Sequence, residues 1–530
     1  MNLPFNLAGS FGEPRPDHFH SGIDIKTNGV EGQAVIAIAD GYVSRIRVSP
    51  YGYGKAIYIT HPNGYTSVYG HLSAFKDSIE KFVHDQHYWY KQSELDLKPA
   101  VGWFKIKQGD TIAFSGNTGG SSAPHLHFEI RDSKTEQALN PLDFYPKSFY
   151  VDTIPPQINK VKVYQFGNYF YDAVTNIIPL NRNNEYLTTP SPVHIFPNTN
   201  YFCISLEGFD KQDDSENKNG INEIDILSKG DTAFKFILGE INFDQTRMCN
   251  AFVDYNEMMN DNGYFYNCYQ LKNNSLPYYV TANHGMFTIA PNKADSLALD
   301  ILVRDYNQNS TKIKLKFYTD GSSLIADDFG KNDKDTVSAN EFRMDFTAGT
   351  FYDDVTIEKK KLSGNKSTSP VFAVFHPKSL IPMQKPAKVV LTSDIPYKTG
   401  NIAIVRQDNT GKETALETTH SKNKFYANTK ELGTFYLKYD TVPPAVQIIN
   451  YKDNTFSNNQ IMVKATDELT GVTYYNGYID DHWVNFYYDA KNDILTYTFD
   501  EYCPPGEHNF KIIVKDAKQN STTITQHFKN

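Results

Sequence analysis

Two histidines stand one residue apart in the run His125-Leu126-His127-Phe128-Glu129-Ile130. Polar and apolar side chains alternate strictly in this run, and successive side chains of a β-strand point to opposite faces. We therefore expect His125, His127 and Glu129 to share one face, while the apolar side chains between them face the core. Two imidazoles side by side on one face of a strand are suited to binding a transition metal.

A carboxylate occurs in a similar setting near the start of the chain, at Asp24 between Ile23 and Ile25. A carboxylate on an otherwise apolar strand needs a partner. Two imidazoles and a carboxylate are the ligand set of a catalytic zinc site, which keeps a position for water and lowers the pKa of that water to about 7. The chain has no His-Glu-x-x-His motif, so proton transfer falls to other groups. His71, at the end of another strand-like run, is one such group.

The elements that must position these residues are short. The first 150 residues hold eight of the fifteen histidines, and their apolar runs at 34–38, 42–46 and 56–59 are separated by Gly, Pro or Asn-Gly. This punctuation is typical of hairpins and predicts a compact antiparallel sheet. Residues 74–106 are instead charged and aromatic, with a partly helical spacing. They form either a structural insertion packed on the sheet or a lid over the active groove.

An internal repeat divides the rest of the chain, and we call it the internal echo. The motif Asp152-Thr-Ile-Pro-Pro is repeated as Asp440-Thr-Val-Pro-Pro, and residues 303–311 are similar to residues 514–522. A paired proline fixes an extended start to a strand, and the Asp and Asn positions supply a polar turn. We therefore predict immunoglobulin-like β-sandwich modules over 151–325 and 440–530. Residues 326–439 lack both signatures but keep strand-like runs, so we predict a separate β-sandwich module there, in a chain that is mainly β.

Composition excludes several classes of protein. The net charge of −9 and the lack of a Lys/Arg cluster argue against nucleic acid as a ligand. No run approaches the roughly 20 apolar residues of a membrane span.

Among the four cysteines, Cys249 and Cys268 are candidates for pairing, a question that the sequence leaves open. The Asp-rich turn at 210–214 predicts a solvated loop, with calcium binding as the alternative. No leader opens the sequence, which indicates either a cytoplasmic protein or a removed leader.

The N-terminal residues resemble the lysostaphin-type zinc endopeptidases of bacterial cell walls. The resemblance extends over roughly residues 9–146 and rests on several motifs in a fixed order. The matching motifs are Phe11-Gly12 with Arg15, His20-x-x-x-Asp24, Thr60-His61-Pro62-Asn63-Gly64-Tyr65, Tyr69-Gly70-His71-Leu72-Ser73, Gly109-Asp110, Gly116-Asn117-Thr118-Gly119, His125-Leu126-His127-Phe128-Glu129 and Asn140-Pro141. The long stretch after Ser73 departs from a minimal family pattern.

The resemblance implies a function for five residues in a metallopeptidase domain over 1–150. His20, Asp24 and His127 match the ligands of one Zn²⁺ per chain, while His71 and His125 match the catalytic histidines. Regulatory members of the family have lost some of these residues, whereas this chain keeps all five. The resemblance therefore implies an endopeptidase that cuts the peptide cross-links of peptidoglycan.

The alternative is a non-catalytic cell-wall binding protein or an activator of other wall hydrolases. The expected partners are peptidoglycan stem or cross-bridge peptides, with envelope proteins bound through the β-sandwich modules. We expect the protein in the periplasm or cell envelope, with its leader peptide absent from this sequence.

Overall fold

The computed structural model is built almost entirely of β-strands. It describes residues 5–196, 199, 201–289, 294–320, 336–339, 341–363, 369–393 and 400–530. The helices in these ranges are α1 (Asp77–Tyr90), α2 (Cys249–Phe252) and α3 (Tyr255–Met259). Short 3₁₀ turns lie at Pro141–Phe144, Lys147–Phe149, Phe170–Asp172, Thr246–Met248, Asn283–Gly285 and Ser457–Asn459. None of the described helices has both the length and the apolar character that a membrane crossing requires.

The N-terminal segment, residues 5–150, is organised around one large antiparallel sheet. Its strands are β1 (Leu7–Gly9), β2 (Pro14–Arg15), β3 (His18–Phe19), β4 (Ile23–Lys26), β5 (Ala34–Ile36), β6 (Gly41–Val48), β7 (Lys55–Thr60), β8 (Tyr65–Phe75), β9 (Leu95–Leu97), β10 (Lys105–Ile106), β11 (Thr111–Ser115), β12 (His125–Asp132) and β13 (Ala138–Leu139). The main path of the sheet runs β1-β4-β12-β8-β7-β6-β10. Strand β12 lies between β4 and β8, which confirms the predicted antiparallel sheet and brings distant parts of the sequence together.

The stretch at 74–106 contains α1, which packs on the sheet through Ile79, Val83 and His87. The opposite side of α1 contacts residues near the C-terminus, where the ring of Tyr88 stacks on that of Tyr502 with centroids 4.1 Å apart. The tyrosine hydroxyl also donates a hydrogen bond to Asp500. The helix therefore has a structural place between the sheet and the C-terminal residues.

The second segment, residues 151–320, contains two further sheets. Its strands are β14 (Gln157–Phe166), β15 (Val174–Pro179), β16 (Asn181–Asn183), β17 (Tyr186–Thr188), β18 (Val193–His194), β19 (Tyr201–Phe209), β20 (Glu223–Ser228), β21 (Asp231–Ile237), β22 (Phe265–Asn267), β23 (Tyr279–Thr281), β24 (Asp295–Arg304) and β25 (Ser310–Thr319). Its hydrophobic core is continuous with that of the N-terminal segment. Phe19 packs on Phe252 with ring centroids 5.4 Å apart, and Ala138 bridges to Ile241.

The third segment, residues 336–439, has its own core between two sheets. Its strands are β26 (Thr336–Ala339), β27 (Phe342–Asp345), β28 (Glu358–Leu362), β29 (Val371–Phe375), β30 (Ala387–Thr392), β31 (Ile402–Gln407), β32 (Glu413–Leu416), β33 (Thr419–Ser421), β34 (Lys424–Thr429) and β35 (Gly433–Tyr439). The boundary predicted near residue 326 lies outside the described residues.

The C-terminal segment, residues 440–530, also has a separate core between two sheets. Its strands are β36 (Ala445–Ile448), β37 (Tyr451–Lys452), β38 (Thr455–Phe456), β39 (Gln460–Thr466), β40 (Val472–Ile479), β41 (His482–Val484), β42 (Tyr487–Asp489), β43 (Ile494–Thr498), β44 (Glu507–Asp516) and β45 (Ser521–Lys529). The immunoglobulin-like assignment of the second and C-terminal segments stays a prediction.

The internal echo of the sequence reappears as matching hydrogen bonds. Asn309 donates from Nδ2 to the carbonyl oxygen of Asp152, and Asn520 donates in the same way to Asp440, each over 3.0 Å. All four cysteines are buried and free, so Cys249 and Cys268 are not paired.

Candidate metal centre

Three predicted residues converge in the N-terminal sheet. His20 Nε2 lies 3.0 Å from Asp24 Oδ1 and 3.0 Å from His127 Nδ1, and His127 Nδ1 lies 2.9 Å from the same Asp24 oxygen. All three side chains are buried. Residues separated by more than a hundred positions in the sequence thus present three donor atoms to one point.

Strand pairing explains this convergence. His127 of β12 stands opposite Asp24 of β4 on one side and opposite Gly70 of β8 on the other. Side chains of directly opposed residues lie on the same face of a sheet. The apolar neighbours Leu126 and Phe128 are buried in the core, as the alternation predicts.

Second partners fix which nitrogen of each ring faces the centre. His20 Nδ1 lies 2.8 Å from the carbonyl oxygen of Ser10, which can only accept, so this nitrogen carries a proton. His127 Nε2 lies 2.8 Å from Glu129 Oε1, which also accepts hydrogen bonds from Tyr53 and Ser21. In the neutral rings, His20 Nε2 and His127 Nδ1 are therefore unprotonated and carry lone pairs. Both atoms face the same Asp24 oxygen.

Three acceptor atoms within 3.0 Å of one another need a positive charge between them. Burial lowers the pKa of His20 to about 4. Burial also acts to lower the pKa of His127, but its hydrogen bonds to Asp24 and Glu129 raise it to about 9. The positive charge is thus either a proton on His127 or a metal ion.

The donor set fits zinc. Two imidazole nitrogens and one carboxylate oxygen are a ligand set of catalytic zinc sites, in which donors at 2.0–2.2 Å from the ion stand about 3.3 Å apart. The observed separations of 2.9–3.0 Å need to open by only a few tenths of an ångström. Three protein donors leave a coordination position for water or substrate.

The two other predicted histidines lie beside this triad. The rings of His71 and His125 have centroids 4.8 Å apart, and His125 Nε2 lies 3.3 Å from Asp24 Oδ1. The Nδ1 atoms contact the carbonyl oxygens of Thr118 and Ala123, each over 2.8 Å. Both Nδ1 atoms are therefore protonated donors, and in the neutral rings both Nε2 atoms carry lone pairs. Apart from this approach to Asp24, the buried His125 Nε2 has no hydrogen-bond partner among the described residues.

His71 is held in an unusual backbone conformation. Its φ of +57° lies in the left-handed region within β8, which is rare for a residue with a side chain. The register between β7 and β8 shifts between Tyr69 and Leu72, the stretch that contains His71. Burial lowers the pKa of His71 to about 3, and the neighbouring His127 and His125 act in the same direction. His71 is thus a neutral base with a fixed tautomer.

Several functional neighbours were missed by the sequence reasoning. Tyr53 stacks on His127 with centroids 5.0 Å apart and donates to Glu129 over 2.6 Å, while Arg131 donates to the same carboxylate over 2.6 Å. Arg15, noted only within a motif, binds Asp24 Oδ2 at 2.6 Å. The alternation of β12 continues through Glu129 to Arg131 and could have revealed Arg131, but Tyr53 lies in a loop with no periodic signal.

The second segment fixes the residues around His20. Phe19 N–H donates to Thr246 Oγ1 over 3.0 Å, and Arg247 pairs with Asp17 at 2.9 Å. Because Phe19 precedes His20 directly, these contacts set the position of one candidate ligand.

The C-terminal segment contacts the loop at 116–122, which carries the hydrogen-bond acceptor of His71. Lys491 Nζ donates to the carbonyl oxygens of Asn117 and Ser121. The Ser121 hydroxyl in turn lies 3.2 Å from His125 Nδ1. Lys491 is therefore connected to both histidines through this loop.

Comparison with known proteins agrees with the geometry. Residues 18–88 and 84–141 match the model of peptidase family M23, and residues 328–440 match that of a Zu5-like domain. The DD-carboxypeptidase/endopeptidase Mpg of Neisseria meningitidis serogroup B is 34% identical over 123 residues, which are 23% of this chain and 22% of that protein. The murein hydrolase activator NlpD of Escherichia coli is 36% identical over 128 residues, which are 24% of this chain and 26% of that protein.

The match thus spans about a quarter or less of the length of these relatives. The catalytic domain of lysostaphin from Staphylococcus simulans aligns with 26% of this chain and 87% of its own, at 25% identity and a TM-score of 0.19. The family model covers His20, Asp24, His71, His125 and His127. The N-terminal segment of this chain is therefore a peptidase family M23 domain.

Proposed function

We propose that the N-terminal segment binds one Zn²⁺ through His20, Asp24 and His127 and hydrolyses peptide cross-links of bacterial peptidoglycan. The observation that carries this proposal is the pair His71 and His125, with ring centroids 4.8 Å apart beside the ligand triad. A purely structural zinc site has no use for two further histidines with lone pairs on Nε2. The relative Mpg, whose name describes a DD-carboxypeptidase/endopeptidase, supports the choice of substrate.

The residues of the chain divide the chemistry between them. Zinc in such a site polarises a carbonyl group and acidifies water. His71 and His125 each hold their Nδ1 proton on a backbone carbonyl, so Nε2 orients water, accepts its proton and passes it to the leaving amine. The same Nε2 atoms, once protonated, stabilise the developing oxyanion.

The remaining segments serve as β-sandwich modules that position the peptidase. The second segment fixes the chain before His20, and the C-terminal segment fixes the 116–122 loop. The modules also present surfaces to envelope partners, and the substrate class assigns the protein to the periplasm or cell envelope.

Digestion of defined cross-linked muropeptides, followed by mass spectrometry, tests the activity. We expect the zinc-loaded protein to release new peptide termini and His125→Ala to release none while retaining its zinc. His18→Ala is the matched control, because His18 is exposed and near His20 in sequence. Full activity of His125→Ala, or no product from any cross-linked wall preparation, contradicts the proposal.

A second function is favoured by one relative. NlpD is named a murein hydrolase activator, and an activator needs the groove but not its chemistry. His71→Ala separates the two functions: the peptidase loses its function in cells, whereas an activator keeps it.

A further inference from the structure

A second cluster of carboxylates lies outside the peptidase domain, where the second segment begins. Asp152, Asp210 and Asp305 each place a carboxylate oxygen within 4.8 Å of the others. All three are buried, with Asp210 only 2% exposed. Asp152 follows the N-terminal segment directly, while the other two follow β19 and β24. The cluster therefore joins three distant points of the second segment.

Hydrogen bonds within the protein satisfy only part of this cluster. Asn309 donates to both oxygens of Asp305, and Ile154 N–H donates to Asp152. By contrast, Asp210 Oδ1 is buried and has no hydrogen-bond partner among the described residues. In the same part of the chain, no Lys, Arg or His forms an ion pair with any of the three carboxylates. The cluster thus lacks a counter-ion from the protein.

The neutral side chain of Asn219 lies on the strand bridge beside Asp210. Asn219 exchanges two backbone hydrogen bonds with Asp210, at 2.9 and 2.8 Å, so the two side chains lie on the same face. The Asn219 amide is 3% exposed, and within the described ranges neither its oxygen nor its nitrogen has a hydrogen-bond partner. A buried amide without a partner is costly. Its side-chain oxygen is therefore free to act as an uncharged metal ligand beside the carboxylates.

The C-terminal segment contains a corresponding carboxylate cluster that has a lysine nearby. Asp440, Asp467 and Asp516 form the corresponding cluster. Three backbone N–H groups, of residues 469–471, donate to one oxygen of Asp467. Lys518 lies close enough for Asp440 and Asp516 to act on its charge, although burial still lowers its pKa. There a lysine of the chain lies near the carboxylates and feels their charge.

The second segment has no such lysine. In the repeated run, the position of Lys518 is occupied by Asn307, which donates to the carbonyl oxygens of Tyr150 and Asp152. Burial, together with the charges of Asp152 and Asp305, raises the pKa of Asp210 to about 9. Three carboxylates that close cannot all be ionised at neutral pH without an added cation.

We propose that Asp152, Asp210, Asp305 and Asn219 bind a Ca²⁺ ion that fixes the start of the second segment to the rest of that segment. The donors are all hard oxygen atoms, which calcium prefers, and no nitrogen or sulfur donor suited to zinc is among them. Calcium holds oxygens at 2.3–2.6 Å, so two oxygens on opposite sides of the ion are about 4.9 Å apart at the mean bond length. The three carboxylate oxygens all lie within 4.8 Å of one another, which places them near enough to share one ion of this size.

Calorimetric titration of the zinc-loaded full chain with CaCl₂ tests this site, after other metals have been removed. We expect one Ca²⁺ per chain and a rise in the melting temperature. Asn307→Lys supplies the lysine of the C-terminal segment, so it should abolish calcium binding and leave the melting temperature in calcium-free buffer at or above that of the wild type. Asp210→Asn, which keeps the shape of the side chain, should weaken calcium binding at least tenfold.

Asp467→Asn is the control, since it changes the corresponding residue of the C-terminal segment, and it should bind calcium as the wild type does. MgCl₂ should bind more weakly, because magnesium demands a smaller octahedral site. The proposal is overturned if the wild type neither takes up Ca²⁺ nor gains melting temperature. It is equally overturned if binding survives both Asn307→Lys and Asp210→Asn, or if Mg²⁺ binds as tightly as Ca²⁺.

Discussion

The ammonium group of Lys491, in the C-terminal segment, donates a hydrogen bond over 2.9 Å to the backbone carbonyl of Ser121, next to the candidate active site. The two residues are 370 positions apart in the sequence. Ser121 lies in the loop whose Thr118 carbonyl sets the tautomer of His71. A residue near the C-terminal end of the sequence therefore helps to position His71 and His125, the candidate catalytic histidines.

We expect Lys491→Met to lower kcat of muropeptide cleavage about tenfold with little change in KM, because small displacements of catalytic groups cost rate steeply. Lys491→Arg should restore most of the rate, since Arg can donate to the same carbonyls. Steady-state kinetics and the melting temperature are the measurements.

Lys511→Met is the matched control, because Lys511 belongs to the same segment but pairs with the exposed Asp481. Equal losses of kcat in the Lys491 and Lys511 variants would show that the effect is not transmitted through the 116–122 loop.

Glu129→Gln should reduce the affinity for zinc by about 10–100-fold, the usual cost of losing a partner of a metal-binding histidine. Glu129 holds the Nε2 proton of His127 and is itself held by Arg131. Competition with a chromophoric chelator measures the affinity. Glu136→Gln is the control. Glu136 is the other, exposed carboxylate that pairs with Arg131, at 3.5 Å, and its loss should leave zinc binding unchanged.

Metal binding and proton transfer should separate by residue. We expect His20→Ala to lose zinc and activity together, and His71→Ala to lose activity while it keeps one zinc per chain. Elemental analysis of the purified variants, combined with the cleavage assay, tells these outcomes apart. Loss of zinc in His71→Ala would place that residue among the ligands.

The acidic cluster of the second segment predicts a pH dependence of stability. The pKa of Asp210 is raised to about 9 in the folded protein, against about 3.9 in an unfolded chain, so the folded state holds a proton that the unfolded state releases. In calcium-free buffer this contribution is fully present below about pH 3.9 and is lost as the pH rises towards about 9.

The melting temperature of the wild type should therefore fall relative to that of Asp210→Asn between about pH 5 and pH 8. Excess CaCl₂ should reverse the trend, because metal binding requires ionised carboxylates. Parallel pH profiles of the two proteins in calcium-free buffer would contradict the proton on Asp210.

Much of the fold was predictable from local patterns. The alternation in residues 125–130 predicted a strand with one polar face, and the Asp-Thr-x-Pro-Pro echo predicted related starts for two segments. These features depend on neighbours in sequence, because strand periodicity and proline restrictions act over a few residues. The role of residues 74–106 was left open between insertion and lid, since a helix at the surface has no preferred partner in the sequence alone.

The amino-acid sequence by itself determined which ligand atoms are available: the imidazoles of His20 and His127 and the carboxylate of Asp24, with His71 and His125 in ordered motifs. Tertiary structure decided how they meet, because the pairing of β4, β12 and β8 is a long-range choice of register. It also decided the tautomers of the rings, which depend on the carbonyls of Ser10, Thr118 and Ala123. The hydrogen bond from Lys491 to Ser121 could not be predicted from the sequence. It depends on how two distant segments pack together, which no local pattern encodes.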